Sequence, residues 1–275
     1  GHVDYDTLTH LVEFQLQSGT DYLVALGTTA ETPTLSEEEQ EKVVRTVIDK
    51  VAGRVPVIVG VGGNNTQALV DKLQHGNYEE ADAILSVVPY YNKPTQEGLY
   101  QHFAHIAEAS PLPVILYNIP GRCGINMTAD TTLCLANDFK QIVAVKEASG
   151  DIEQIREIIM NKPSHFQVVS GDDNITFELL KSGGDGVIAV IANAFPGEFS
   201  RMVHRTLMGN YEEAQRINDR LSELFPLLSV DGNPAGIKSL LAAMGMIENR
   251  LRLPLVPARQ TTQDKISQVL DKLRQ

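Results

Sequence analysis

The sequence predicts an α/β protein, a (β/α)8 barrel with a C-terminal helical extension and with its first barrel strand missing from this chain. Two observations support this prediction. Short apolar runs rich in Val and Ile alternate with amphipathic stretches through residues 1–195, which is typical of parallel strands joined by crossover helices. Polar, chemically capable residues follow many of these runs, as they do at the carboxyl ends of barrel strands.

Seven apolar runs are the predicted strands. They occupy residues 21–28, 56–63, 83–92, 113–120, 142–149, 167–173 and 186–193. Continuous runs of this length predict strands that are buried on both faces. A barrel has eight strands, and the chain enters a predicted helix at residues 8–17 almost at once. We therefore expect the first strand to precede residue 1.

Helix signals fill the segments between the strands. Ser36 and Glu39 form a capping-box pattern, and Asp151 precedes a stripe of isoleucines at helical spacing. After residue 195 only helical patterns remain, at about 196–208, 211–228, 234–245 and 260–274. We interpret 1–195 as the barrel without its first strand, and 196–275 as the last barrel helix and the helical extension.

Composition excludes several classes of function. The net charge is −12, with 23 basic and 35 acidic residues, and this argues against a nucleic-acid or anionic-membrane partner. Cys123 and Cys134 form neither a disulfide framework nor a zinc-ligand spacing. No apolar run approaches the length of a membrane-spanning helix, and no signal peptide is visible. We expect a cytoplasmic protein.

Lys146 is the first candidate catalytic residue, because it stands near the end of the predicted strand at 142–149. Burial of an ammonium is costly and lowers its pKa, which yields the neutral amine that attacks a carbonyl. The alternative is a structural lysine paired with Glu147 or another carboxylate. Both interpretations are open on this pattern alone.

Three further candidates lie near or just beyond the carboxyl ends of predicted strands. Tyr117 can exchange protons with groups at the same barrel mouth, Arg122 can hold a carboxylate by two hydrogen bonds, and the turn at 27–31 offers two hydroxyls and backbone N–H groups. Each also has an interpretation without a catalytic or binding role, as a packed tyrosine, a solvated arginine and an ordinary loop respectively. The pair His102 and His105 has helical spacing, and we interpret both as surface residues.

The motifs occur together and in a fixed order. They are GTTAE at 27–31, PYYNKPTQEGLYQHF at 89–103, YNIPGRCG at 117–124, VKEASGD at 145–151, SGDD at 170–173, GVIAVIAN at 186–193 and NP-x-x-x-K at 233–238. In this combination they resemble the dihydrodipicolinate synthase family of the N-acetylneuraminate lyase superfamily. The resemblance extends from about Val3 to beyond Arg252, and it implies a TIM barrel.

The resemblance implies a carbon-oxygen lyase with a class I aldolase-like mechanism. It would condense pyruvate with L-aspartate 4-semialdehyde to 4-hydroxy-tetrahydrodipicolinate, in diaminopimelate and lysine biosynthesis. Lys146 matches the Schiff-base lysine, so the covalent imine with pyruvate takes the place of a cofactor and no metal is expected. Tyr117 matches the proton-relay tyrosine, linked through Thr28 to a second tyrosine, Tyr91, that the neighbouring subunit inserts.

The same resemblance implies the binding residues and the assembly. Thr29 and nearby backbone N–H groups would hold the pyruvate carboxylate, and Arg122 would receive the carboxylate of the semialdehyde. The backbone around Gly186 and Ile188 would line the pocket. The family usually assembles as a homotetramer, a dimer of dimers, so we expect self-association and no nucleic-acid or membrane partner.

Two departures from the family pattern and two rival functions remain. The positions of the lysine feedback site carry Glu37, Gln40 and Ala68, which predicts weak or absent inhibition by lysine. Gly236 stands where many members have proline, and we interpret this as a minor loop change. One rival is an N-acetylneuraminate lyase or a 2-keto-3-deoxy-sugar-acid aldolase, and the sugar-acid aldolases generally lack an arginine at the position of Arg122. The other is a non-catalytic barrel that binds a keto acid.

Overall fold

The structure, a computed structural model, describes residues 1–76, 78 and 80–274. The chain packs as two compact units. One unit, the terminal unit, combines residues 1–57 with residues 189–275, and the other, the central unit, is residues 58–188. Each unit has its own hydrophobic core, and each is described separately below.

The strands form one seven-stranded sheet in chain order. They are β1 (Leu23–Ala25), β2 (Val57–Gly60), β3 (Ala83–Val87), β4 (Val114–Asn118), β5 (Ile142–Glu147), β6 (Gln167–Ser170) and β7 (Gly186–Val187). Neighbours from β2 to β7 pair in parallel. All seven predicted strands are confirmed, together with the α/β class.

The predicted runs extend beyond the strands at their carboxyl ends. The largest difference is the run at 186–193, because β7 ends at Val187 and a 3-10 helix follows at Ile191–Asn193. Val190 already has helical backbone angles, with φ −92° and ψ −48°. Apolar residues in a continuous run do not by themselves separate strand from helix, so the predicted end was wrong.

The central unit covers β2 to β7 with helices. They are α3 (Thr66–His75), α4 (Gln96–Ala109), α5 (Pro120–Cys123), α6 (Ala129–Asp138), α7 (Ile152–Asn161) and α8 (Thr176–Lys181). Its core contains strand side chains with no exposed surface, among them Ile84, Leu116 and Val145. Because such strands are buried on both faces, their carboxyl ends are held in a fixed register.

The terminal unit contains β1 and the helices from both chain ends. They are α1 (Tyr5–Gln17), α2 (Glu37–Val51), α9 (Pro196–Leu207), α10 (Tyr211–Ser222), α11 (Ala235–Ala243) and α12 (Gln260–Leu273). The predicted capping box is present at α2, where Ser36 and Glu39 exchange hydrogen bonds. A valine-rich core joins α1, β1 and α2, and it includes Val12, Val47 and Val51.

Two expectations for the C-terminal half need correction. The helix predicted at 211–228 ends at Ser222, and a separate 3-10 helix follows at Phe225–Leu228, since Pro226 removes a backbone donor. Gly236 is not in a loop. It lies in α11, where a Cβ would be 2.5 Å from both Cα and O of Leu228, so the glycine permits this close approach.

The prediction that His102 is a surface residue is wrong. The His102 side chain is buried, and its Nδ1 lies 2.8 Å from the Thr66 hydroxyl of α3. Burial lowers the pKa of His102 to about 4, so the ring is neutral. His105, one turn later, is exposed as predicted.

Three expectations stay predictions. They are a strand before residue 1, the interpretation of the C-terminal helices as an extension, and the boundary between barrel and extension at residues 195 and 196. The two compact units divide the chain elsewhere, after residues 57 and 188. Among the helices of the described residues, none is long and apolar enough to cross a membrane.

Candidate active site

Strands β4 and β5 place two of the predicted residues side by side. Tyr117 and Lys146 are register partners, and Lys146 Nζ lies 4.1 Å from the centroid of the Tyr117 ring. Lys146 is 8% exposed and Tyr117 is 5% exposed. The electron-rich ring face stabilises the ammonium form of the lysine without forming an ion pair.

The pKa of Lys146 falls to about 8. Burial is the main cause, because it disfavours the charged amine, and the positive charge of Arg122 lowers the pKa further. The negative charge of Asp173 opposes both effects. About a tenth of Lys146 is therefore the neutral, nucleophilic amine at pH 7, far more than for a lysine with the ordinary pKa.

The reading of Lys146 as a partner of Glu147 finds no support. No ion pair joins the two side chains in the described part of the chain, and the Glu147 carboxylate is occupied elsewhere. It accepts from Asn118 Nδ2 at 3.1 Å, from the Ser149 N–H at 2.9 Å and from Gln154 Nε2 at 3.2 Å. Burial raises the pKa of Glu147, and these donors oppose that rise.

This buried network ties the ends of β4 and β5 to the segment that follows β4. Asn118 Oδ1 accepts from the Met127 N–H at 3.0 Å, and Asn118 Nδ2 donates to Asn126 Oδ1 at 2.8 Å. Asn118 and Glu147 are themselves register partners. They directly follow Tyr117 and Lys146 in sequence, so the network restrains the backbone that carries both side chains. Sequence reasoning missed it, although YN and KE are part of the quoted motifs.

Gly171 is a second residue that sequence reasoning missed. A Cβ on Gly171 would be 2.9 Å from Lys146 Cε, 3.1 Å from Lys146 Cγ and 2.8 Å from Ala148 Cβ. The Lys146 side chain therefore lies directly against this glycine. The predicted glycine, Gly186, is buried in β7, where a Cβ would meet only Val169 Cγ1 at 3.6 Å.

Asp173 is a third residue that sequence reasoning did not assign to the site. Its neighbour Asp172 caps the short helix Asp173–Ile175 by accepting from the Asn174 N–H. Asp173 itself is buried, and its charge acts on Lys146. The SGDD motif was the available signal.

Arg122 lies on the turn after β4 and is exposed. It belongs to the short helix α5, whose C-cap is Gly124 with φ 73°. Its charge acts on Lys146, as described above, so the turn supplies local positive potential in a chain of net charge −12. Ile188 follows β7, and its N–H donates to the Ser170 carbonyl at 2.9 Å.

Tyr91 is in the loop after β3 and has 90% of its surface exposed. Its φ of 73° is in the left-handed region, which is uncommon for an aromatic residue. The loop is held by Asn64, whose Nδ2 donates to the Tyr90 carbonyl at 3.1 Å, and by Asn92, whose Nδ2 donates to the Asn64 carbonyl at 3.0 Å. A restrained loop thus presents a large apolar side chain to solvent.

Thr28 and Thr29 belong to the terminal unit. They begin the 3-10 helix Thr28–Ala30, directly after Gly27. Thr29 Oγ1 lies 2.9 Å from Asn233 Nδ2. Backbone N–H groups at such a tight turn can bind a small anion. The described residues contain no group of three or more His, Cys, Asp and Glu side chains that could hold a metal ion.

The comparisons with known proteins agree with one another. The model of the dihydrodipicolinate synthetase family matches residues 1–273. A 4-hydroxy-tetrahydrodipicolinate synthase from Parabacteroides distasonis is 60% identical over 271 residues, which cover 98% of this chain and 91% of that protein. The crystal structure of dihydrodipicolinate synthase from Thermotoga maritima has a TM-score of 0.97 and 42% identity, and the match covers 100% of this chain and 94% of that one.

One further solved structure is described as the first monomeric dihydrodipicolinate synthase variant. It has a TM-score of 0.97 and 42% identity, and the match covers 100% of this chain and 92% of that one.

Proposed function

Since the chain belongs to the dihydrodipicolinate synthetase family, we propose that it condenses pyruvate with L-aspartate 4-semialdehyde to give 4-hydroxy-tetrahydrodipicolinate. The product enters diaminopimelate and lysine biosynthesis, and the fold is the TIM barrel of the family. The observation that carries the proposal is the buried Lys146, with its lowered pKa, beside the Tyr117 ring.

The chemistry begins with the neutral Lys146 amine. It attacks the keto carbon of pyruvate, water leaves, and a protonated imine forms. The imine withdraws electrons from the adjacent methyl group, which loses a proton to give an enamine. The enamine carbon attacks the aldehyde carbon of the semialdehyde, forming the new C–C bond. The amine of that substrate then attacks the imine carbon, and the ring closes as Lys146 leaves.

Protons must move at several of these steps, and Tyr117 is the proposed donor and acceptor. Its phenol stands beside the amine that reacts, which supports this role. We assign Thr28 and Tyr91 to the same relay from the family resemblance. The covalent imine itself supplies the electron sink, so the proposed mechanism uses no cofactor.

Both substrates carry carboxylates, and the proposal gives each its own residues. Thr29 and the backbone N–H groups of its turn hold the pyruvate carboxylate, while Arg122 receives the carboxylate of the semialdehyde. Gly186 and Ile188 contribute backbone to the pyruvate pocket. Arg122 also separates this activity from the sugar-acid aldolases, since those relatives generally lack it.

The primary experiment is the intact mass after borohydride reduction with pyruvate, for wild type and Lys146→Ala. We expect a reduced pyruvyl adduct on wild type alone. Lys140→Ala is the matched control, because Lys140 is exposed just before β5 and should keep the adduct. A folded wild type that forms no adduct would refute the proposed imine. An adduct without turnover of the semialdehyde would favour a sugar-acid aldolase or a keto-acid-binding protein.

We propose self-association as a homotetramer, a dimer of dimers, in which Tyr91 completes the site of a partner subunit. The exposure and restrained loop of Tyr91 support this assignment. Lys146→Ala and Tyr91→Phe should each be inactive alone. If subunits exchange on mixing, hybrids regain activity, because one site then has both Lys146 and Tyr91. Mixed subunits that exchange but stay inactive would place Tyr91 in its own subunit's site.

A further inference from the structure

The NP-x-x-x-K motif at 233–238, which the proposed mechanism does not use, contacts the turn at 27–31 with both of its terminal residues. Asn233 hydrogen-bonds Thr29, and Lys238 pairs with Glu31. All four residues belong to the terminal unit. The contacts join positions that are 204 and 207 residues apart in sequence. The 233–238 segment therefore clamps the 27–31 turn at two points.

The first contact controls the direction of the Thr29 hydroxyl. Asn233 Nδ2 donates to Thr29 Oγ1 at 2.9 Å, whereas donation in the opposite direction, to Asn233 Oδ1, spans 3.3 Å. A hydroxyl has a single proton. When Thr29 accepts from Asn233, that proton is available for another acceptor, such as a carboxylate.

The second contact holds a strained part of the turn. Glu31 has φ 55°, and Leu26, just before the turn, has φ 57°. A residue other than glycine adopts these left-handed backbone angles only when its surroundings hold it there. The Glu31 carboxylate accepts from Lys238 Nζ at 2.6 Å through one oxygen, and from the Arg252 N–H at 3.0 Å through the other. Its side chain is 11% exposed, so this ion pair is shielded from solvent.

We propose that Asn233 and Lys238 are positioning residues for the substrate carboxylate, which act through Thr29 and Glu31 without touching the substrate. Asn233 sets Thr29 as a hydrogen-bond donor, and Lys238 holds the 27–31 turn in the conformation that presents it. The inference rests on the proposed function, in which Thr29 binds the pyruvate carboxylate.

The decisive variant is Asn233→Asp, which keeps the shape of the side chain but makes it only an acceptor. Thr29 then donates its proton to the introduced carboxylate, so that proton is lost to the substrate. The readout is the pyruvate concentration at half-maximal borohydride trapping. We expect it to rise about ten-fold or more, because a hydrogen bond to a carboxylate is lost, with a smaller change in the trapping rate at saturation.

A double-variant cycle shows whether Asn233 acts through Thr29. In a Thr29→Val background, Asn233→Asp should raise the half-saturating pyruvate concentration little further, because the hydroxyl is already gone. Acetone, a ketone without a carboxylate, supplies a second readout. The amount of acetone trapped on Lys146 should be equal in wild type and Asn233→Asp. The adduct that forms on Lys146→Ala measures the trapping at other lysines and is subtracted.

Lys238→Met tests the second contact, and Lys238→Arg keeps the charge. We expect Lys238→Met to raise the half-saturating pyruvate concentration and Lys238→Arg to restore part of the affinity. The matched control is Lys162→Met, which breaks another 2.6 Å ion pair, with Asp185, at the amino-terminal ends of β6 and β7. This control should trap pyruvate like wild type.

The outcomes separate the inference from the proposed function. No pyruvate adduct on wild type would refute the proposed function itself. A wild-type adduct, with an unchanged half-saturating concentration in folded Asn233→Asp and Lys238→Met, would overturn the inference alone. Equal losses with pyruvate and acetone would also overturn it, since they would indicate general damage. If circular dichroism shows Asn233→Asp to be unfolded, the Lys238 pair of variants decides.

Discussion

Gly171→Ala should displace the catalytic lysine, and the structure gives the size of the effect. The new Cβ would be 2.9 Å from Lys146 Cε and 2.8 Å from Ala148 Cβ. Ordinary carbon–carbon contacts are about 3.5–4.0 Å, so the neighbours must move by roughly 0.6 Å or more. Lys146 is buried against the Tyr117 ring, and the Ala148 methyl moves only with its backbone.

The expected result is a slower first step. A reacting group that is misplaced by about 1 Å costs about 100-fold in rate, so we expect imine formation to slow about 10- to 100-fold. Overpacking should also cost about 1–3 kcal/mol in the free energy of unfolding. The assay is the time course of pyruvyl adduct after rapid quenching with borohydride, read by intact mass, together with urea unfolding.

Gly121→Ala is the matched control for this prediction. It adds the same methyl group to another glycine of the central unit, which is exposed and where a Cβ would meet nothing within 4 Å. We expect near wild-type trapping from it. Equal rates in Gly171→Ala and wild type would refute the packing argument, and equal slowing in both variants would show that the effect is not specific to Lys146.

Three further predictions concern other parts of the molecule. Because the pKa of Lys146 is about 8, the rate of imine formation should increase as the pH rises towards 8 and level off above it. Asp173→Asn should move this increase to lower pH, since the negative charge of Asp173 raises the pKa of Lys146. An unchanged pH profile in Asp173→Asn would contradict the influence of Asp173 on Lys146. Gly236→Ala should lower the free energy of unfolding by about 1–3 kcal/mol in urea, whereas Gly197→Ala, whose Cβ would be 3.5 Å from Ser18 O, should not. Turnover should persist in millimolar L-lysine, and strong inhibition would disprove the reading of the feedback positions.

Sequence reasoning found the strands because their physical signal is local. A run of Val and Ile long enough for one strand, such as Ile142–Glu147, is recognisable without knowledge of its neighbours. Lys146 and Tyr117 were identified for the same reason, since a polar side chain at the end of an apolar run is conspicuous. The ends of the strands were less certain, as β7 illustrates, because helical backbone can continue an apolar run.

What the sequence did not provide depends on tertiary neighbours. Gly171 is significant only because Lys146 and Ala148 pack against it, and no local pattern distinguishes it from Gly186. His102 pairs with His105 at helical spacing in sequence, yet it is buried with its Nδ1 2.8 Å from the Thr66 hydroxyl. Such contacts between distant segments are set by packing, which overrides local propensity.

The terminal unit has a consequence for the order in which the protein matures during synthesis. Its 27–31 turn leaves the ribosome 204 to 221 residues before Asn233, Lys238 and Arg252, which hold that turn. Domains fold as their chain emerges, and contacts across 204 residues must close a long loop. The turn therefore acquires its anchors only after 204 or more further residues have been made, and a nascent chain that stops before residue 233 has none of them.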